Sequence, residues 1–497
     1  VLQPQIGPLI AGLLPADIDV EVISDTWDEP DWERDYDLLF ITCAHSDFDR
    51  ARQVSHYWRR RGAKTVFGGI MASTYHQLCR PFFDSVVVGD AEGVVPQLYE
   101  DFCNGELKPL YISKPYDPLK VPVPRFDLLA DKQVLPLSLE ATRGCPFTCE
   151  FCTLTGIGTR HHTRPVELIV RDIREGQRQL KGKVSEWKRW GVAFCDNNIG
   201  GNPAHLHQIC DAVGPMKIRW GSAATFNVIS DPEMVKKLSR SGCRFLFVGL
   251  ESLNPATIAD MHKHQNAIEN TKAVLAQCRD NGILILSGLL LSSSTDSRSY
   301  IETIPRRLRE CGLQVPSFIC FECPIPGTPY FNRLAAPERP AFMPNTLLRD
   351  YTGYTLVVRP EHESVDDFIE AYKWVLDATF TTAAKLRKLA GDLPRLLIRG
   401  YWESAITDLI HQLGVVYKPP HPDRTYLPET DVVPPEMSSV PLCDDDFESD
   451  EEYRSIMEPW QVTDSEGRVL PQWLGSTRVY SGKGQVSMGA RQLIVRA

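Results

Sequence analysis

Short apolar runs alternate with amphipathic segments from residue 1 to about residue 335 of this 497-residue chain, and that alternation restricts the fold more than any other feature. Within residues 1–110, Ile18 to Ile23, Leu38 to Thr42, Thr65 to Phe67 and Ser85 to Val88 read as strands. Asp47 to Arg61 reads as a helix with Phe48, Ala51, Val54 and Trp58 on one face. Ser46 or Asp47 caps it and Gly62 stops it. Glu92 to Phe102 reads as another helix. Strands and helices in alternation with short loops predict a doubly wound, Rossmann-like parallel sheet. Such sheets usually begin with a strand. Gln3, Pro4, Gly7 and Pro8 instead read as a loop entering a helix, so the first strand is expected to be missing.

Residues 111–134 contain Pro115, Pro118, Pro122 and Pro124 and read as an extended linker. Residues 135–335 carry six strand-like runs: Leu135 to Glu140, Val192 to Cys195, Ile218 to Ser222, Arg244 to Leu250, Ile283 to Leu291 and Ser317 to Cys323. Helical segments such as Pro232 to Arg240 and Asn266 to Asn281 lie between them. Six such units predict a partial (β/α)6 barrel of the TIM type, whose chemistry sits at the C-terminal strand ends. Here those ends include Arg143-Gly144-Cys145, Asp196-Asn197-Asn198 and Glu251-Ser252. Residues 336–417 read as a helical C-terminal region, with Phe368, Tyr372 and Val375 on one face. Residues 418–497 read as a Pro-rich, acidic tail; seven of the nine residues from Asp444 to Glu452 are acidic, the mark of a solvated segment.

The formal net charge of -10 argues against nucleic acid as a partner, because phosphate binding needs a basic face. No apolar run approaches the ~20 residues of a membrane helix. The N-terminal residues carry neither a charged lead nor a cleavage site, so the expectation is a cytoplasmic chain with reduced thiols.

Of the 14 cysteines, three cluster, in Cys145-Pro-Phe-Thr-Cys149-Glu-Phe-Cys152. A structural zinc site wants pairs two to four apart and a second pair elsewhere, which this spacing does not supply. Three thiolates on an iron–sulfur cluster leave one iron open, as a catalytic role requires. The Cys-x3-Cys-x2-Cys motif resembles that of the radical S-adenosylmethionine (radical SAM) enzymes. In that family the open iron of a 4Fe–4S cluster chelates the amino and carboxylate groups of S-adenosylmethionine. One electron then cleaves the sulfonium to a 5′-deoxyadenosyl radical. The resemblance makes Cys145, Cys149 and Cys152 the metal ligands and places Phe151 near the adenine. It extends to Phe194 to Gly201, to Gly249-Leu250-Glu251-Ser252, to Gly282 to Leu291 and to the Pro324 to Pro329 turn. It implies Asp196, Asn197, Ser222, Glu251 and Ser252 as residues holding the methionine and ribose. A plain ion pair of Glu251 with Arg219 or Arg244 is the alternative reading.

A doubly wound domain ahead of such a barrel resembles the cobalamin-binding members of the family. The loops Thr42 to Asp47, Gly68 to Ser73 and Gly89 to Gly93 match the corrinoid face, with Gly68, Gly69, Gly89 and Glu92 as candidate cobalamin contacts. The Asp-x-His-x-x-Gly signature of cobalamin mutases is absent, and His45 is the nearest histidine to that face. The implied activity is a cobalamin-dependent radical SAM methyltransferase. It transfers a methyl group to a carbon of a small-molecule or peptide natural product and draws electrons from an external flavodoxin- or ferredoxin-like donor. The alternatives are a radical enzyme of the same architecture that cyclises, oxidises or rearranges without methylating, and a non-catalytic iron–sulfur scaffold or sensor.

Overall fold

The computed structural model describes residues 5–414 and 491–495, apart from 25–27, 29, 133, 159, 264, 267–269, 336–340 and 344–349. Five strands near the N-terminus, β1 (Val20–Ser24), β2 (Leu38–Thr42), β3 (Lys64–Gly68), β4 (Ser85–Val88) and β5 (Leu110–Ile112), belong to one sheet. β2, β3, β4 and β5 pair in parallel in that order. The expected Asp47 to Arg61 helix spans Phe48–Arg60 and buries Phe48, Ala51, Val54 and Trp58. Gly62 follows it in the left-handed region at φ 95°. Asp47 occupies the cap position without a side-chain hydrogen bond to the helix. The two faces of the sheet bury separate cores, around Phe67 and Trp58 on one side and Phe40 and Val66 on the other.

The barrel strands are β6 (Ser138–Leu139), β9 (Gly191–Phe194), β10 (Arg219–Ala224), β11 (Cys243–Val248), β12 (Leu284–Leu286), β13 (Gly288–Leu291) and β14 (Phe318–Phe321). β7 (Thr142–Arg143) and β8 (His162–Thr163) pair antiparallel and bracket the cysteine loop. β12, β11, β10, β9 and β6 are adjacent and parallel, and β13 pairs in parallel with β14. The expected fifth strand, Ile283 to Leu291, breaks at Ser287, whose buried hydroxyl accepts the Leu250 amide at 3.3 Å. That break lets one segment pair with β11 and then with β14, so six strand positions curve into the expected partial barrel. Leu246, Val248 and Trp220 pack under the surrounding helices through Leu238, Ile209 and Cys278.

Two differences from the sequence reading concern segment boundaries. Residues 111 and 112 lie inside β5, and Phe126 and Leu129 of the proline-rich segment are buried. The stretch is therefore packed, because its apolar residues anchor between the prolines. Residues 491–495, expected in the tail, form strand β15 (Arg491–Val495), antiparallel to both β1 and β2. That is the slot a leading strand of a parallel sheet takes, so the sheet is continuous at the position where a strand was expected to be missing. The acidic run of residues 444–452 lies outside the described residues.

C-terminal to the barrel, helices Val365–Thr379, Thr382–Ile398 and Trp402–Gly414 follow. Phe368, Tyr372 and Val375 are buried as expected, and the Tyr372 hydroxyl donates to the Ile319 carbonyl at 3.0 Å. Trp374 is on the outer face. No helix among the described residues is long and apolar enough to cross a membrane.

Candidate active site

The cysteine loop leaves β7 through Gly144, whose φ of 81° turns the chain sharply. Cys149 is buried, Cys145 and Cys152 are half-buried, and Cys152 precedes the short Thr153–Gly156 helix. Burial and then the neighbouring Cys149 and Cys145 push the Cys152 thiol pKa up, so three thiolates there need a positive partner. Among the described residues no three His, Cys, Asp or Glu side chains gather tightly enough for a single metal ion. A lone zinc draws its ligands to about 2.3 Å and crowds them together, whereas a cluster carrying several irons spaces its thiolates more widely. A donor set of three thiols is the chemistry an iron–sulfur cluster takes. Two amides supply hydrogen bonds to sulfur. Asn198 Nδ2 donates to Cys145 Sγ at 3.7 Å, and Gln265 Nε2 donates to Cys149 Sγ at 3.4 Å. Such contacts orient thiolates and tune a cluster.

The residues expected to hold S-adenosylmethionine divide in the structure. Glu251 sits at the end of β11 at φ 61°, and its carboxylate pairs with Lys263. Lys263 Nζ also lies 5.8 Å from the centre of the Phe151 ring, so one cation joins the cluster loop to the fourth strand position. Arg219 and Arg244 both pair with Glu403 instead, which removes the alternative partners of Glu251. Ser222 is buried on β10, and Ser252 is buried with its Oγ accepting the Asn254 amide at 3.0 Å. Asn197 is exposed. Asp196 is engaged inside the fold: its carboxylate accepts the Thr142 amide, the Thr142 hydroxyl at 2.6 Å and the Ala141 amide at 3.3 Å. It ties the first strand position to the second rather than presenting free oxygens.

Burial, aided by Glu140, pushes the Asp196 carboxyl up to about 7 despite these three donors. The folded chain thus holds this proton more tightly than the unfolded chain. The stability Asp196 contributes is complete below about pH 4 and is lost as pH rises through about 7. In urea titrations Asp196→Asn should weaken the fall in midpoint between about pH 5 and about pH 8. An unchanged pH dependence contradicts this role.

Sequence reasoning assigned no role to Asn198, Lys263 or Gln265. The first sits one residue beyond the pair singled out. The other two lie in the stretch between the Glu251-Ser252 strand end and the start of the Asn266 to Asn281 segment, where no residue was singled out. Met261 and Asn266 of that stretch also bind the site, through the Glu150 amide on the Met261 carbonyl and Asn266 Nδ2 on the Leu250 carbonyl.

A second part of the site lies between the two sheets. A cavity of about 1140 Å³ extends from Thr42, Gly68, Gly69 and Gly89 to Ile157 and Gly327. It exceeds the ~300–1,000 Å³ of ordinary small-molecule pockets, as a macrocyclic cofactor needs. Gly69 stands at φ 94°, and a Cβ there would collide with the Thr42 hydroxyl, so the floor admits no side chain. Gly327 of the Pro324 to Pro329 turn wedges between Thr74 and the backbone of Gly156, where a Cβ would strike Thr74 at 2.6 Å. His45 is buried and is not part of the cavity wall. Burial lowers its pKa to about 4, which keeps it neutral.

Arg143 clasps the two halves. It donates to Asp90 at 2.7 Å and Glu92 at 2.8 Å on the sheet domain, and to Glu140 at 2.6 Å on the barrel. The Tyr116 ring centre lies 4.2 Å from its guanidinium carbon. Glu92, expected to face the corrinoid, is committed to this clasp while still bordering the cavity.

With this geometry in place, comparison with known proteins gives consistent matches. The radical SAM superfamily pattern matches residues 139–297. The bacteriochlorophyllide d C-8(2)-methyltransferase of Chlorobaculum tepidum is 25% identical over 386 residues, covering 74% of this chain and 84% of that protein. The bacteriochlorophyllide d C-12(1)-methyltransferase of the same organism is 27% identical over 308 residues, covering 60% and 66%. Among solved structures, the radical S-adenosylmethionine methyltransferase TsrM from Kitasatospora setae, with cobalamin and a 4Fe–4S cluster bound, aligns with a TM-score of 0.52. The identity is 15%, over 76% of this chain and 89% of that one. That likeness shows a shared fold.

Proposed function

We propose that this chain, whose residues 139–297 form a radical SAM domain, is a cobalamin-dependent methyltransferase acting on carbon. The observation that carries the reading is the glycine-floored cavity between the doubly wound sheet and the barrel residues that flank the cluster loop, Arg143 before it and Gly156 and Ile157 after it. Ligands of such sheets bind at the C-terminal ends of the strands, and here those ends face the barrel's own catalytic end. The two methyltransferase relatives and the cobalamin in TsrM support the same assignment.

In this reading Cys145, Cys149 and Cys152 hold the cluster, with Asn198 and Gln265 donating to its sulfur ligands. Glu251, fixed by Lys263, and the buried Ser222 and Ser252 line the place of S-adenosylmethionine, beside Phe151. Gly68, Gly69 and Gly89 carry the corrinoid. When bound, the cluster and S-adenosylmethionine activate an unreactive C–H bond by one-electron chemistry, and the corrinoid carries the methyl group. The protein orients the partners and excludes water. Tyr330, Phe331 and Tyr351, from the barrel side, are buried in the same core as Phe67 of the sheet, which keeps the junction dry. The substrate is a small-molecule or peptide natural product, the electron source a flavodoxin- or ferredoxin-like protein, and the compartment the cytoplasm.

Anaerobic turnover with S-adenosylmethionine carrying a deuterated methyl group tests the reaction. The expected product is heavier than substrate by one labelled methyl. A product altered in mass without the label contradicts methyl transfer while leaving the radical chemistry intact.

A further inference from the structure

The last two described helices carry an apolar face that no described residue covers. Thr382–Ile398 and Trp402–Gly414 join through Gly400 at φ 81° and pack against each other, with Leu396 and Ala405 buried between them and β12. So short a connection makes them antiparallel neighbours.

Their outer faces repeat the same spacing. Leu386, Ala390, Leu393 and Leu397 follow at intervals of four, three and four on the first helix. Trp402, Ile406, Leu409 and Leu413 follow the same intervals on the second. Leu393 is half-buried at the seam, while the other seven are exposed. Ile398, 85% exposed, and Ile410, 57% exposed, widen the patch. The large apolar side chains leave roughly 900 Å² in the open on one chain, more than the few hundred of a typical monomer patch and near the ~800 Å² per partner of a stable interface.

The spacing says what fits there. Intervals of four and three mark the seam of a helix packed on other helices. A helix lying on a membrane presents a broader apolar face than such a stripe. Two antiparallel stripes are also self-complementary under a two-fold axis, because each meets its equivalent with the same spacing. We propose that this hairpin is a homodimer interface, closed by the same hairpin of a second copy into a four-helix bundle. The proposal is independent of the reaction assigned above.

Light scattering of the full chain with its cofactors tests it. The expected mass is about 112 kDa, twice the 56.0 kDa of one chain. In the double variant Ile406→Glu/Leu413→Glu the mass should halve. Both side chains are exposed in one copy, so far-ultraviolet dichroism and iron content per chain should not change. A monomeric wild type at tens of micromolar overturns the proposal, as does a double variant that stays dimeric. Flotation of a monomeric wild type with phosphatidylglycerol vesicles, lost in the variant, would instead make the face a lipid-binding surface and equally overturn it. Arg387, which flanks the stripe about a quarter-turn round the helix, makes that arm worth running.

Discussion

Cys149→Ala is expected to yield a folded protein that assembles no cluster and releases no 5′-deoxyadenosine when reduced in the presence of S-adenosylmethionine. Cys149 is the most buried of the three loop cysteines and the one held by Gln265. Removing it leaves two thiols, and the cysteines buried in the two cores offer no replacement. Cys43 and Cys79 are buried in the sheet domain, and Cys210, Cys243 and Cys278 in the barrel core. Burial raises the pKa of the Cys79, Cys210, Cys243 and Cys278 thiols, which keeps them protonated and poor ligands. Iron and acid-labile sulfide per chain, measured beside a Cys210→Ala control, should separate the two cases. The control loses only a small core side chain and should keep its cluster. Retained cleavage in Cys149→Ala would remove the basis of the assignment.

Arg143→Ala should have the second large effect, through position and charge together. One guanidinium answers three carboxylates, and Glu92 and Glu140 are largely withdrawn from water. Breaking a buried pair by deleting one partner typically costs about 3–5 kcal/mol, because the orphaned charges stay desolvated. Burial already holds the Glu140 carboxyl above its ordinary value, and losing the Arg143 charge that opposes this raises it further. The protonated form of Glu140 is then the stable one, so the deficit is smallest at acid pH and grows as pH rises through that raised value. Adding Glu92→Gln and Glu140→Gln should restore much of the stability without restoring the clasp. Function should split differently. The clasp ties the Gly89 to Gly93 loop to a residue two positions before Cys145, so the triple variant should still cleave S-adenosylmethionine yet methylate poorly. A triple variant that methylates as well as wild type shows that the clasp serves stability alone.

The fold was legible where covalent spacing or periodicity carried it. The cysteine loop, the glycine turns and five of the six barrel strands lie close to where the pattern put them, because apolar runs of strand length cannot be buried any other way in this alternation. The break at Ser287 was not legible, since it depends on which neighbouring strand each half meets. The same holds for β15: Arg491 to Val495 is a short stretch with only three consecutive apolar residues, unremarkable until the gap between β1 and β2 is seen. In the site, residues next to the motif were visible and those brought in from afar were not. Lys263 reaches Glu251 across twelve positions and Gln265 reaches Cys149 across more than a hundred. Asp196 was legible as an acidic residue at a strand end, but not as the side chain that accepts from Ala141 and Thr142, because those partners come from the first strand position more than fifty residues away.

The central claim is that one chain brings a cluster and a corrinoid together across the cavity between its two sheets. The visible absorption spectrum of anaerobically purified protein, supplied with iron, sulfide and hydroxocobalamin and then freed of unbound cofactor, tests it most directly. The account predicts that sulfide-to-iron charge-transfer absorption and corrinoid bands are retained together, each near one equivalent per chain, with Gly69→Leu losing the corrinoid bands and keeping the cluster. A wild-type protein that retains the cluster but no corrinoid under these conditions contradicts it.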